Sequence, residues 1–307
     1  MIGRVIEVAT ERCYLSVKRG FMVVRREDEE VGRTPLDDIA VVLCTGYGVS
    51  YSNNLLVSLA SRNAFLVVCA SNFMPVAWLW PVEGHHAQVG NMNRQLAASL
   101  PLKKRVWQSL VRTKIRQQAA VLNQVGRTSA RLEQLAKEVK SGDSTNVEAQ
   151  AARVYWPALF GEDFRRDQNA GGINALLNYG YTIVRSAVAR AVVSAGLHPS
   201  IAVHHSHRGD TFALADDLVE VFRPHVDLAI VRLVNAGHEE VNPTTKQVLA
   251  GILSHDLATC HGTTPLQSCC DRLAASLARS FNDRKCALDL PYEPHPLELA
   301  DDLCRPG

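Results

Sequence analysis

Residues 173–193, INALLNYGYTIVRSAVARAVV, decide the reading of the fold. Ile173, Leu176, Leu177, Gly180, Val184, Ala187, Val188, Ala191 and Val192 recur at three- and four-residue steps, the spacing that lines one face of a helix, until Gly196 and Pro199 stop it. The same period runs upstream through Leu102, Val106, Leu110, Val111, Ile115, Ala119 and Leu122. Toward the amino terminus the texture changes. Arg4 to Val8, Cys13 to Val17, Phe21 to Arg25, Ile39 to Leu43, Phe65 to Cys69 and Val76 to Trp80 are short β-branched or aromatic runs, separated by turn residues such as Arg19-Gly20 and Thr45-Gly46. One short helix is expected among them over 53–60, opening on a Ser52 cap. The predicted fold class is α+β, with a β-rich domain over residues 1–88 joined by a short stiff connection to a larger all-α domain over 89–307.

A chain of 307 residues with 47% apolar content has ample material for real cores, which excludes a disordered tail or a stapled mini-protein. The start, Met1-Ile2-Gly3-Arg4-Val5-Ile6-Glu7, carries charges where a secretory signal needs an unbroken apolar core. Eight cysteines, at 13, 44, 69, 260, 269, 270, 286 and 304, show no Cys-x-x-Cys spacing and mostly lie in apolar runs, so they read as reduced thiols of a cytoplasmic protein. Asn63 to Val82 has no charge over twenty residues, long enough in principle to cross a bilayer. Ser71-Asn72 and Pro75 break that segment in the middle, so strand, turn and strand fit better than a membrane span.

The net charge of +2 says little until it is resolved along the chain. Residues 1–90 carry 8 basic and 9 acidic side chains, residues 91–140 carry 11 and 2, and the remainder is acidic. Between Arg94 and Leu132 no acid occurs, while Arg94, Lys103, Lys104, Arg105, Arg112, Lys114, Arg116, Arg127 and Arg131 supply nine positive charges. A solvated helix face usually mixes both signs, so this run reads as a track for a phosphate backbone. Arg165-Arg166 could add to it.

Two distant segments carry the candidate chemistry. His204-His205-Ser206-His207 follows the Gly196 and Pro199 break, and a helix starting near Thr211 would set Asp217 and Glu220 side by side at the edge of an apolar face formed by Leu214, Leu218, Val221 and Phe222. Paired carboxylates repel unless a cation or proton intervenes, and a nearby imidazole would complete an oxygen and nitrogen set suited to Mg²⁺ or Mn²⁺. The plainer alternative is an acidic helix start that complements the dipole, a role open to Asp216 and Asp217. Glu148 stands in a third helical segment that runs from Asn146 to Trp156 before Pro157; Thr145-x-x-Glu148 also fits a capping box, in which the glutamate merely bonds a helix-start amide. The group His255, Cys260, His261, Cys269 and Cys270 lacks a recognised zinc spacing, and no phosphate-cradling glycine loop or serine nucleophile elbow occurs.

Taken together, Pro35-Leu36-Asp37-Asp38-Ile39-Ala40-Val41-Val42-Leu43, Glu148-Ala-x-Ala-Ala-Arg-x-Tyr-Trp156, Gly196-Leu-x-Pro-Ser-Ile-Ala-Val-His-His205 and Leu214-Ala-Asp-Asp-Leu-Val-Glu220-x-Phe-Arg-Pro224 resemble the CRISPR adaptation integrases, in the form found with a single-protein RNA-guided effector. The resemblance spans essentially the whole chain. It implies a metal-dependent DNA integrase and endonuclease, with Glu148, His205 and Glu220 as catalytic ligands of Mg²⁺ or Mn²⁺ and with Asp217 and His204 as auxiliary groups. It also implies a homodimer built through the amino-terminal domain and a heterohexamer around a dimer of a small ferredoxin-like adaptation partner. Double-stranded DNA, as protospacer and repeat, would be the substrate, and the effector nuclease a further partner. Lys103, Lys104, Arg105, Arg112, Lys114, Arg116, Arg165 and Arg166 would then contact DNA. Two rival readings stand beside it: a catalytically idle DNA-binding scaffold, and a junction-cleaving nuclease of repair.

Overall fold

The computed structural model describes residues 3–71, 73, 75–82, 85–205 and 211–294. Its first part is strand-rich: β1 (Arg4–Val8), β2 (Tyr14–Lys18), β3 (Phe21–Arg26), β4 (Glu29–Pro35), β5 (Ile39–Cys44), β6 (Ser50–Tyr51), α1 (Asn53–Ala60), β7 (Phe65–Cys69) and β8 (Pro75–Leu79). They form two four-stranded sheets, ordered β1-β5-β7-β8 and β4-β3-β2-β6. Within the first, β1, β5 and β7 run parallel and β8 returns antiparallel to β7, so the uncharged stretch over 63–82 is a strand pair. Ser52 caps α1 as expected, its side chain accepting from the Leu55 amide.

Strand β5 shows why this sheet organises the molecule. All six of its residues are buried, and the pleat divides them between two cores. Val41 and Leu43, with Phe65 and Val67 of β7, join the helical core, whereas Val42 and Cys44, with Leu66, pack into a smaller core beneath α1. The strand-rich part is therefore fused to the helices through shared apolar packing. Glu7 of β1 adds a polar clamp: its carboxylate accepts from Thr45 Oγ1, from the Tyr179 hydroxyl and from Lys246 Nζ.

The helices are α2 (Gln88–Leu96), α3 (Leu100–Gln124), α4 (Ala130–Glu138), α5 (Val147–Phe160), α6 (Ile173–Ser194), α7 (Ala213–Val219), α8 (Arg223–Asn235), α9 (Pro243–Ala250) and α10 (Leu266–Asp283). Helix α6, the segment read first, is buried along almost its whole length. Gly180 lets it approach α8: a Cβ there would stand 2.5 Å from Val226 Cγ1. The helical part also holds β9 (Asp256–Thr259), β10 (Gly262–Pro265) and β11 (Glu293–Pro294), a small antiparallel sheet ordered β10-β9-β11. Sequence periodicity does not reveal it because four-residue and two-residue strands are too short to show a period of two.

Among the described residues no helix is long and apolar enough to cross a membrane. The described cysteines, at 13, 44, 69, 260, 269, 270 and 286, are all free thiols.

Candidate active site

Glu148 enters the site because another residue does the capping. Asn146 takes a left-handed conformation, and the buried Asp143 accepts from the amides of Val147 and Glu148, at 2.8 and 3.0 Å. The Thr145 capping box does not form. Freed from that duty, the Glu148 carboxylate meets Lys114 Nζ of α3 at 2.6 Å.

Glu220 follows the last residue of α7, where the chain turns into α8, and is 4% exposed. Its Oε2 touches the same Lys114 Nζ at 2.5 Å, and its Oε1 pairs with Arg223 Nη1 at 2.7 Å. Burial alone would raise the Glu220 pKa, but the charges of Arg223 and Lys114 outweigh it and hold the carboxyl below its ordinary value. Burial likewise works against the charge on Lys114, and Glu220 and Glu148 more than compensate, raising its pKa. The three groups thus form an acid–lysine–acid bridge drawn from α5, the end of α7 and the middle of α3.

His205 lies on the loop after α6. That loop is latched to α2 by Gln95, whose Nε2 donates to the carbonyls of His198 and Ile201 and whose Oε1 accepts from the His198 amide. Asp217 fixes its far end: fully buried, it accepts from the amides of Val203, His204 and His205 and pairs with His205 Nδ1 at 2.6 Å. The bond to Asp217 raises the His205 pKa, partly opposed by burial and assisted by the charges of Glu148 and Glu220. With Nδ1 committed, Nε2 is the nitrogen left for a ligand. His204 stacks flat on Trp107, with ring centres 4.3 Å apart, and burial lowers its pKa. His207 lies outside the described residues.

The sequence-based site is therefore corrected in three respects. Asp217, expected at the edge of an apolar helix face beside Glu220, is fully buried and is the orienting partner of His205. Lys114 is not on the open phosphate track, because its side chain lies on the buried side of α3 and faces the two glutamates. Arg112 and Arg166 also turn inward, Arg112 to the Val139 carbonyl and Arg166 to the side-chain oxygens of Asn174 and Asn178. Lys104, Arg105, Arg116 and Arg165 are exposed and Lys103 is half-buried, which leaves a shorter basic face than the run of residues suggested. Glu148, His205 and Glu220 share one electrostatic environment, although their ligand atoms do not all lie within 4.8 Å of one another.

Beside the bridge, Lys114, Arg166, Tyr181, Arg185, Arg223 and Asp227 line a cavity of about 280 Å³. Arg185 forks through two bonds onto Asp216, which stands in the first turn of α7 where the sequence reading placed a dipole-complementing acid. Asp227 receives the hydroxyls of Tyr155 and Tyr181; burial pushes its pKa up to about 7 even though those bonds oppose the rise. Neither Asp143 nor this tyrosine–aspartate group stood out in the sequence, since a single acid or tyrosine inside a helix carries no spacing signal.

A carboxylate–histidine centre, part buried and part open, in a helical body behind two small sheets defines a recognisable class of protein. The family model described as CRISPR associated protein Cas1 matches residues 6–258, and the chain belongs to the Cas1 family of CRISPR-associated endonucleases. It is 36% identical over 274 residues to the CRISPR-associated endonuclease Cas1 of Neisseria meningitidis serogroup C, covering 88% of this chain and 90% of that relative. Among solved structures, a casposase bound to integration product shares the fold with a TM-score of 0.80 at 18% identity, covering 97% of this chain and 96% of that one. A CAS1 protein from Thermotoga maritima gives 0.71 at 16% identity, covering 93% and 99%.

Proposed function

We propose that this chain is the divalent-metal-dependent DNA integrase and endonuclease of CRISPR adaptation, joining the 3′-hydroxyl ends of captured DNA into the repeat by transesterification. The observation that carries the reading is the meeting of Glu148 and Glu220, from helices remote in sequence, on one cationic atom, in the electrostatic reach of an imidazole whose Nδ1 is already committed. The donor chemistry suits Mg²⁺ or Mn²⁺, which prefer carboxylate oxygen and accept neutral imidazole. Glu220 Oε2 adds a specific reason: it is buried against a single cationic atom, Lys114 Nζ, whose place a divalent ion would take. Glu148, Glu220 and His205 Nε2 would hold the ion, which when bound polarises the scissile phosphate as a Lewis acid.

The rest falls to the chain's own residues. Asp217 keeps His205 in the tautomer that leaves Nε2 unprotonated. Arg223 keeps Glu220 ionised. Lys114 neutralises the glutamates in the free protein and becomes available to a DNA phosphate once they bind the ion. Arg166 and Arg185 line the adjoining cavity, held there by Asn174, Asn178 and Asp216, and Lys103, Lys104, Arg105, Arg116 and Arg165 steer the duplex. In the strand-transfer step the 3′-hydroxyl oxygen of the captured DNA gives up its proton and bonds the repeat phosphorus, the 3′ oxygen it displaces leaves and takes up a proton, and one phosphodiester replaces another.

The protein would act in the cytoplasm as a homodimer, joined to a small ferredoxin-like partner dimer in a heterohexamer. The fold match to a Cas6-RT-Cas1–Cas2 complex, at TM-score 0.75 and 17% identity over 92% of this chain and 35% of that one, supports such an assembly. The test is joining of a 3′-hydroxyl prespacer into repeat DNA with Mg²⁺, Mn²⁺ or chelator. Activity is expected only with metal, and should vanish in Glu148→Gln, His205→Ala and Glu220→Gln. Metal-independent joining, or joining that survives each substitution, would overturn the assignment; cleavage of branched DNA without joining would favour a repair nuclease.

A further inference from the structure

We propose that Cys260, His261 and Asp289 form a second metal site, selective for zinc, on the opposite chemistry from the glutamate centre. Among the described residues this is the one group of histidine, cysteine and acidic side chains whose ligand atoms all lie within 4.8 Å of one another. His261 Nε2 pairs with Asp289 Oδ2 at 2.8 Å, and Cys260 Sγ stands 3.8 Å from Asp289 Oδ1. A tetrahedral zinc with bonds of about 2.0–2.3 Å separates its ligands by roughly 3.3–3.8 Å, so the three atoms need shifts of about an ångström or less. The cysteines at 269 and 270 and His255, which the spacing argument grouped with these two, take no part.

The geometry is supported from behind. Cys260 and His261 occupy the turn between β9 and β10, where Thr259 Oγ1 donates to the Gly262 carbonyl and accepts from the His261 amide, and where Gly262 has a φ of 87° that favours glycine. Asp289 comes from the segment after α10; its amide donates to the buried Ser276 hydroxyl, which itself donates to the Leu273 carbonyl. Its side chain is only 14% exposed, whereas Cys260 and His261 are open to solvent, so the fourth coordination position faces water.

The donor set also points to the ion. Sulfur, nitrogen and oxygen together suit zinc and disfavour Mg²⁺, the reverse of the Glu148, His205 and Glu220 set. Thiolate and carboxylate balance the two charges of the ion, which leaves the site neutral beside Arg116 and Arg279 on the same groove. Binding releases the thiol proton of Cys260 to solvent, and the imidazole proton shared with Asp289 is exchanged for one on Nδ1, so one proton is lost per zinc from neutral histidine. The ion would then fasten the hairpin turn to the returning segment, whose Tyr292 amide already bonds the Ala258 carbonyl.

Cobalt reports on this site directly, because a thiolate ligand adds a sulfur-to-metal charge-transfer band that oxygen and nitrogen ligands lack. Chelator-treated full-length protein titrated with Co²⁺ should develop that band to one equivalent and lose it when Zn²⁺ is added. Cys260→Ser should abolish the band, and Asp289→Asn and His261→Gln should weaken zinc affinity at least about tenfold. Glu148→Gln should leave the band intact, which separates this site from the proposed catalytic one. Because Cys260 and His261 are exposed, the variants should melt with the wild type in chelator. Absence of the band from the wild type, or its persistence in Cys260→Ser, would overturn the proposal.

Discussion

Replacing Asp217 by asparagine removes one charge from a side chain that no solvent reaches, and the structure fixes what must follow. Asp217 Oδ2 accepts from the amides of Val203 and His204 at 2.7 and 2.8 Å, while Oδ1 accepts from the His205 amide at 3.2 Å and pairs with His205 Nδ1 at 2.6 Å. Asparagine has one carbonyl oxygen, and the two short amide bonds will claim it. Its NH₂ then faces the His205 amide, which is left without an acceptor at a cost of about 1–3 kcal/mol, and the surviving bonds lose their charge assistance. The expected loss of stability is about 2–4 kcal/mol, read as a lower urea midpoint with unchanged slope. The imidazole responds as well. Nδ1 must now accept from the new NH₂, so the proton moves to Nε2, the nitrogen proposed to face the ion. Strand joining should fall by at least about 100-fold, with metal affinity weakened in parallel. Nitrogen-15 spectra of the ring would report the tautomer. Asp217→Asn with wild-type joining and a stability change below about 0.5 kcal/mol would refute both the capping role and the orienting role.

Lys114→Met leaves two facing carboxylates without their cation and should cost about 3 kcal/mol or more in metal-free buffer, with much of the loss recovered on adding Mg²⁺ or Mn²⁺; urea midpoints with and without the ion check this. His225 is buried with neither ring nitrogen hydrogen-bonded, and burial lowers its pKa to about 3. Because the folded value lies below the unfolded one, the pH-dependent loss is absent above about pH 6.5, and stability is lost as pH falls from there toward 3. At pH 4.5 the loss is about 3 kcal/mol, and His225→Leu should remove it while leaving stability at pH 7.5 unchanged or higher, as measured by denaturation across that range. Gly180→Ala drives a methyl group against Val226 Cγ1 and should cost about 1–3 kcal/mol. The double variant with Val226→Ala should be more stable than the sum of the two single losses predicts, by about 1 kcal/mol, in the same denaturation assay.

Most of the fold was legible because its signals are periodic. Helices α3 and α6 repeat apolar residues often enough to be seen, and the buried runs of β5 and β7 stand out by their β-branched composition. Strand β4 was not legible. Its sequence, Glu-Glu-Val-Gly-Arg-Thr-Pro, has nothing to bury; it is an edge strand held to β3 by backbone bonds, so side-chain patterning carries no trace of it. The shared core of sheet and helices was also invisible, since an all-apolar strand such as β5 does not announce that its two faces serve different partners.

The site divides along the same physical line. An acid at a helix start serves capping and catalysis equally well in a sequence, and only the position of Asp143 releases Glu148 from the first task. Charge runs mislead in the opposite direction. The acid-free window from Arg94 to Leu132 is a property of one strand of chain, whereas electroneutrality in a folded core is settled between chains of residues that meet from afar. A buried Glu220 facing a half-buried Glu148 requires a cation within reach, and α3 supplies it through Lys114, taken from the middle of the basic run. The same reasoning selects one histidine from the His204-His205 pair. Trp107 holds the ring of His204 against its face, whereas His205 Nδ1 pairs with an aspartate that no solvent screens. An imidazole fixed at one nitrogen by a buried carboxylate has a defined tautomer and a directed lone pair, and that is the property a ligand needs and a stacked ring lacks.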